Sequence, residues 1–295
     1  MIKERIEFDV SGARVVGDLY LPQGSQKSAG VIVGGPMTSV KEQVTGVYAK
    51  ALADRGIAAL CLDHRHFGES EGTPRQFEYY PHKIADLKTG LKILAARPEV
   101  YADRVGVAGV CLGVGYAAWA AVSNPIVKAI GGVVGYYRDV PAMQDEDPDG
   151  FREKVEQGRQ ARHLYEQSGV SETIPAAALV GDAAMTLQST YDYYATPRAG
   201  VENYINEFAV MSREHFLQFD VQSAAPQISA PMIMVHSENA LSPPWARAFY
   251  ERLNTPKRIE WVDGPNQTAF YDDPALVATA SDFLAEHFHK ELRVK

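Results

Sequence analysis

An α/β fold built on a doubly wound, mostly parallel sheet with an inserted helical cap is what the sequence predicts, and three observations carry it. Short apolar runs bounded by Gly, Asp and Pro alternate with helical patterns along most of the chain, the pattern of βα units around a parallel sheet. The opening segment alternates apolar and polar residues on both sides of Ser11-Gly12, as an antiparallel hairpin at a sheet edge does. The βα rhythm lapses from about Arg138 to Asp220 and then resumes. Residues 1–137 and 221–295 are therefore expected to form one core, with 138–220 as the cap.

In order, the hairpin ERIEFDVSGARVVGDLYLP leads to strand SAGVIVGG and helix VTGVYAKALADRG. Strand GIAALCLDH, helix HKIADLKTGLKILAARP and strand DRVGVAGV follow, and a helix opens at Cys111 or Leu112. Strand KAIGGVVGYY ends the first part of the core. Within the cap, PDGFREKVEQGRQARHLYEQSG reads as a charged amphipathic helix, and the aromatic-rich stretch after it is broken by Pro197 and Gly200. Strand APMIMVHSE, helix SPPWARAFYERLN, strand KRIEWVDG and helix DDPALVATASDFLAEHFHKEL complete the chain.

Composition narrows the function. A chain of 295 residues that is 46% apolar can bury one large core. A formal charge of −8 without any run of Lys or Arg gives no footprint for nucleic acid or anionic lipid. A small-molecule partner is expected. No apolar run is long enough to cross a bilayer and no secretory signal is read at the start, so a cytoplasmic location is expected. The two cysteines, Cys61 and Cys111, each lie in an apolar segment, which points to reduced thiols. No histidine spacing suggests a metal site, and no cofactor is expected.

The stretch VAGVCLGVGYAAWAA sets Cys111 between Gly109 and Gly113, where a buried strand turns into an Ala-rich helix. A G-x-nucleophile-x-G turn holds its central residue in a strained backbone conformation above the sheet. The G-x-G-x-x-G spacing of a dinucleotide loop is absent. On this elbow, together with the GGPMTSVKEQ, LDHRHFGESEG, HSENALSP and GPNQTAFYDDP segments, the chain resembles the α/β-hydrolases of the dienelactone-hydrolase-like branch. It is similar to bacterial hydrolases and fungal polyketide transferases with a G-x-C-x-G elbow. The resemblance implies the α/β-hydrolase fold and acyl chemistry, with Cys111 as nucleophile and an oxyanion hole from the N–H of Leu112 and of Met37, since Pro36 has no N–H.

It also exposes two departures. Where the family carries its acid, this chain has Ala240, and where it carries its histidine, Gln267. Glu238 is a candidate displaced carboxylate, Gln267 a group able to orient a carbonyl or a water, and His66 a substitute base. His236 reads as structural, His215 as facing either pocket or solvent, and His82, His163, His287 and His289 as helix-surface residues. Tyr137, Tyr191 and Tyr194 are expected to line an apolar substrate pocket. Arg65, Lys41 and Arg198 are the cations considered for a charged substrate, each read as half of an ion pair.

A serine without a base is nearly inert, whereas a cysteine is partly thiolate at neutral pH and gains more at a helix N-terminus. Three readings stay open. One is hydrolysis or acyl transfer on an ester, lactone or thioester through Cys111. Another is a lyase, cyclase or isomerase of secondary metabolism that uses the oxyanion hole for an enolate, and the last is a binder without turnover. A homodimer through the edge hairpin or cap is also open.

Overall fold

The computed structural model describes residues 1–24 and 27–293. Its main sheet has eight strands in the order β1-β2-β4-β3-β5-β6-β9-β10. The strands are β1 Ile2–Val10, β2 Ala13–Leu21, β3 Ser28–Gly34, β4 Ala58–Asp63, β5 Val100–Val110, β6 Val127–Val133, β9 Met232–His236 and β10 Lys257–Trp261. β1 and β2 pair antiparallel through Ser11-Gly12, and β2 is antiparallel to β4. All other neighbours are parallel. The alternation in β1 is that of an edge strand with one wet face, whereas all six residues of β4 are buried.

Helices cover both faces. α1 (Val44–Ala53) packs against α10 (Pro274–Glu291), and α2 (Tyr80–Ala95) packs against α3 (Gly113–Ala121). The start of α10 is set by Asp273, whose carboxylate accepts from the Ala275 and Leu276 N–H groups, with Pro274 in the first turn. Small residues let α3 lie close to its surroundings: a Cβ at Gly115 would meet Val221 Cγ2 at 2.6 Å. Among the described residues no helix is long and apolar enough to cross a membrane.

The stretch 138–220 lies between β6 and β9 and is less helical than its sequence suggests. It holds α4 (Val140–Glu146), α5 (Pro148–Ser168), α6 (Gln188–Tyr194) and α7 (Ser212–Phe216). It also holds a small antiparallel pair, β7 (Thr173–Pro175) with β8 (Glu207–Ala209), three residues each. α5 is the amphipathic helix expected, capped by Asp147 and ended by Gly169 in the left-handed conformation. α8 (Pro243–Arg252) and α9 (Ala269–Asp272) belong to the returning core.

Candidate active site

The strand order reverses between β3 and β5, and the loops leaving the carboxyl ends of these two strands meet there, the usual place for a site in an open parallel sheet. Cys111 follows β5 directly with φ 54°. Its N–H donates to Val133 O (3.1 Å), and its carbonyl accepts from the N–H of Val114 (3.1 Å) and Tyr136 (3.0 Å). These bonds tie the strained turn to β6 and to the start of α3, so the left-handed conformation is held from three sides. The flanking glycines are needed for space: a Cβ at Gly109 would run into the Gly113 backbone, and one at Gly113 into the Gly34 carbonyl.

Beside the elbow lies the loop after β3. Thr38, at φ 61°, donates its N–H to Glu78 Oε2 at 2.8 Å. Glu78 is fully buried, accepts from Tyr116 Oη at 2.7 Å and pairs with Lys83 Nζ at 2.6 Å. Lys83 lies over the rings of Phe67 and Tyr116, and burial pushes its ammonium below the ordinary lysine range. Glu78 also donates its own N–H to Ser212 Oγ, so its carboxylate anchors the residue next to Met37 while its backbone holds α7. Sequence reasoning passed over Glu78, although a carboxylate just ahead of α2 with a lysine five residues on was visible. Among the described residues neither the Met37 nor the Leu112 N–H donates to a backbone carbonyl.

Gln267 is buried behind the thiol. Its Oε1 accepts from the Leu241 N–H (3.0 Å), and its Nε2 donates to Val134 O (2.7 Å) and, more weakly, toward Tyr271 Oη (3.4 Å). The amide therefore cross-links the loop after β9, the end of β6 and α9. Burial raises the Cys111 pKa, only partly offset by the Tyr271 hydroxyl, the Leu112 N–H and the Gln267 amide. The thiolate enrichment expected from the helix N-terminus is thus outweighed by desolvation. Tyr271, also fully buried beside Cys111, is held well above the ordinary phenol range and is no base at neutral pH.

A cavity of about 250 Å³ opens over the thiol. Its floor is Pro36, Met37, Cys111 and Leu112, with Tyr136, Leu241 and Tyr271 beside them, and its far wall comes from the 138–220 stretch, including Met143, Met185, Thr190, Tyr194 and Phe216. Cys111, Met37, Leu112 and Tyr194 of the expected set are brought together here, and Gln267 touches the group from behind.

Four expected residues are not brought together with it. Glu238 points outward with its side chain 60% exposed and pairs with Arg247, because the turn after β9 lifts it off the sheet. His66 adopts φ 79°, which turns its ring toward Pro74 O (2.9 Å) and His82 Nδ1 (2.8 Å). Burial first, and His82 second, push its pKa down to about 4. Tyr137 is buried on the opposite side of the chain from Tyr136, packed on Phe249 and His236. Tyr191 lies on α6 beside Tyr194 but outside the lining.

Of the other histidines, His236 accepts from the Ser237 N–H at Nδ1 (2.9 Å) and donates from Nε2 to Gly135 O (3.2 Å), and His215 is edge-on to Tyr79. His82 is half-buried against His66, and His287 has its Nε2 buried, so neither is a simple helix-surface residue. The three cations considered earlier are all paired: Arg65 with Asp86 (2.6 Å), Arg198 with Asp272 (2.5 Å), and Lys41 with Glu42, Asp63 and Glu69. The last three carboxylates converge closely enough for a cation, but the Lys41 ammonium fills the space between them.

Sequence reasoning missed the cation that does reach the cavity. Arg138 follows the two tyrosines after β6, is 1% exposed, and is the sole ionised side chain on the cavity wall among the described residues. The signal available was its position at the carboxyl end of a central strand.

Residues 1–140 match the FrsA-like esterase family. Over 276 residues the chain is 30% identical to the uncharacterized protein YcjY of Escherichia coli, spanning 89% of this chain and 88% of YcjY. It is 29% identical over 277 residues to the uncharacterized protein PA2218 of Pseudomonas aeruginosa, spanning 88% of this chain and 73% of that one. The crystal structure of PA2218 superposes with a TM-score of 0.83, covering 98% of this chain and 94% of that one. The polyketide transferase claH of Penicillium crustosum is 24% identical over 276 residues, 88% of this chain and 89% of claH. The chain is thus an enzyme of the α/β-hydrolase fold that belongs to the family of YcjY, with a first half that matches the FrsA-like esterase model.

Proposed function

We propose that Cys111 takes an acyl group from a small, largely apolar thioester or comparably activated ester and passes it to water or to another nucleophile. The observation that carries this reading is a thiol on a strained elbow, beside two N–H groups without backbone acceptors, with no histidine or carboxylate lining the cavity among the described residues. Attack of the sulfur on the carbonyl carbon gives a tetrahedral oxyanion facing the Met37 and Leu112 N–H groups. The thiol proton passes to solvent as the attacking thiolate forms, and collapse of the intermediate breaks the bond to the leaving group, which departs as an anion. With no histidine to act as general acid, the leaving group has to depart on its own, which suits a thiolate or phenolate and disfavours an alkoxide. Transfer to a nucleophile better than water suits the second half for the same reason. The name of claH, a polyketide transferase, is in keeping with such transfer.

The test is acylation by S-phenyl thiobutyrate and p-nitrophenyl butyrate, followed by intact-protein and peptide mass spectrometry. The expected result is one butyryl group on Cys111, none on Cys61, and none in Cys111→Ala. Because burial raises the thiol, the acylation rate should climb with pH from neutrality to beyond the ordinary thiol range of about 8.5, without a plateau near 7. Thiol release without an adduct, or an undiminished rate in Cys111→Ala, rules the covalent route out.

The same raised pKa supports a second reading, in which Cys111 remains an S–H donor and the oxyanion hole holds an enolate for elimination, cyclisation or isomerisation. An isomeric or eliminated product from an unacylated enzyme distinguishes it.

A further inference from the structure

Resting on the acyl-transfer reading, we propose that Arg138 makes this site selective for acyl donors whose far end carries a carboxylate. A guanidinium stays charged in any protein environment, and a buried charge without a counter-ion is costly. Every other buried cation discussed above has a carboxylate: Lys41 has three, Arg65 has Asp86 and Lys83 has Glu78. Arg138 has none among the described residues. It donates from Nη1 to Phe216 O (2.7 Å) and from Nη2 to Leu217 O (3.0 Å) and Met143 Sδ (3.6 Å), while its Nε–H has no acceptor.

The acid nearest in effect, Asp220, is committed elsewhere: its carboxylate accepts from the N–H groups of Val140 and Ser223 and from Ser223 Oγ. The faces of Phe216 and Tyr136 flank the guanidinium at 4.4 and 5.9 Å, adding attraction without cancelling the charge. The result is an apolar cavity with a single positive charge on its wall and the nucleophile on its floor. One monoanion complements it. A phosphate dianion calls for more charge and more donors than one partly engaged guanidinium supplies.

The experiment compares mono-p-nitrophenyl adipate, pimelate and suberate with their methyl-capped counterparts, following nitrophenolate release above the spontaneous background. The expected kcat/KM favours the acid-ended donor at one or more chain lengths by roughly tenfold to a hundredfold. Arg138→Gln, which keeps donors but not charge, should bring the ratio to about one, chiefly through KM, and Arg138→Lys should keep part of it. A ratio near one at all three lengths in the unaltered enzyme overturns the proposal, as does an undiminished ratio in Arg138→Gln. If Arg138→Gln fails to fold, the ratios of the unaltered enzyme and of Arg138→Lys still decide.

Binding separates this proposal from the chemistry beneath it. Calorimetry on Cys111→Ala with monomethyl suberate against dimethyl suberate tests Arg138 without any turnover. A preference for the acid there, with no acyl adduct at Cys111 in the unaltered enzyme, would retain Arg138 and discard the covalent route. Equal binding, or tighter binding of a phosphate-ended analogue or of inorganic phosphate, would discard the carboxylate assignment.

Discussion

The elbow with the loop after β3 and the two loops after β9 and β10 are both held by hydrogen bonds, yet they differ in what those bonds leave available. In the first half the bonds end on backbone and on Glu78, and Cys111, Met37 and Leu112 line the cavity, with the N–H groups of the last two free of backbone acceptors among the described residues. In the second half Gln267 uses its amide to hold Leu241, Val134 and Tyr271, and Glu238 turns away to Arg247. Where the resemblance expects a proton relay, the amide at position 267 serves as a cross-link between three segments. What remains in that half is a brace for the thiol's surroundings.

The most damaging way to break this contrast is Cys111→Ser. With no base in reach the hydroxyl should lose acylation by on the order of 10³-fold or more, read from adduct formation, while thermal unfolding is little changed. A serine enzyme of similar rate would mean that the second half still supplies a base. Next, Glu78→Gln removes the carboxylate that faces Lys83, Tyr116 and the Thr38 N–H together. A loss of about 3 kcal/mol in urea unfolding is expected, with a fall in kcat as the Met37 loop loosens.

A smaller effect sharpens the contrast by restoring chemistry. Ala240→Asp together with Gln267→His should speed deacylation by up to about 10²-fold, and the rate should level off near the pKa of the new imidazole. Losing the Gln267 cross-links costs about 1 kcal/mol. Unchanged deacylation would show that the loops no longer aim a base at the thioester.

The smallest effect concerns His66. Its pKa is about 4 in the fold against an ordinary 6.5, so the unfolded chain takes the proton first as pH falls. Stability associated with this residue is complete above pH 6.5 and is lost on descending through about 4. His66→Gln should leave turnover at pH 7 unchanged and remove about 2 kcal/mol of that acid sensitivity, measured by urea unfolding at pH 7, 5.5 and 4.5. A lower rate at pH 7 would reinstate His66 as a base.

Much of this architecture was legible in the chain itself. Alternating apolar runs and helical patterns marked the strands of the core, and Gly109-Val110-Cys111-Leu112-Gly113 marked the elbow, because both signals are local and periodic. What was not legible depended on phase and direction. Tyr136 and Tyr137 are neighbours in sequence, but they lie in the loop after β6, past the positive φ of Val134, and only Tyr136 meets the cavity. His66 looked well placed at the carboxyl end of β4, yet its positive φ sends the ring away. Arg138 is not among the three cations that the sequence suggests, because its lack of a carboxylate partner is a fact of packing that no spacing reveals.

The elbow glycines have a consequence for how this enzyme can be altered. Positions 109 and 113 admit no side chain, so the turn that carries the thiol is closed to substitution at its flanks. The facing wall at Ala184–Leu187 lines the cavity and is partly exposed. Changes in what the enzyme accepts are therefore available in a segment at the edge of the core rather than inside it. A library confined to residues 184–187 should yield folded variants with new acyl-length preferences, whereas one at the elbow should yield mainly unfolded protein.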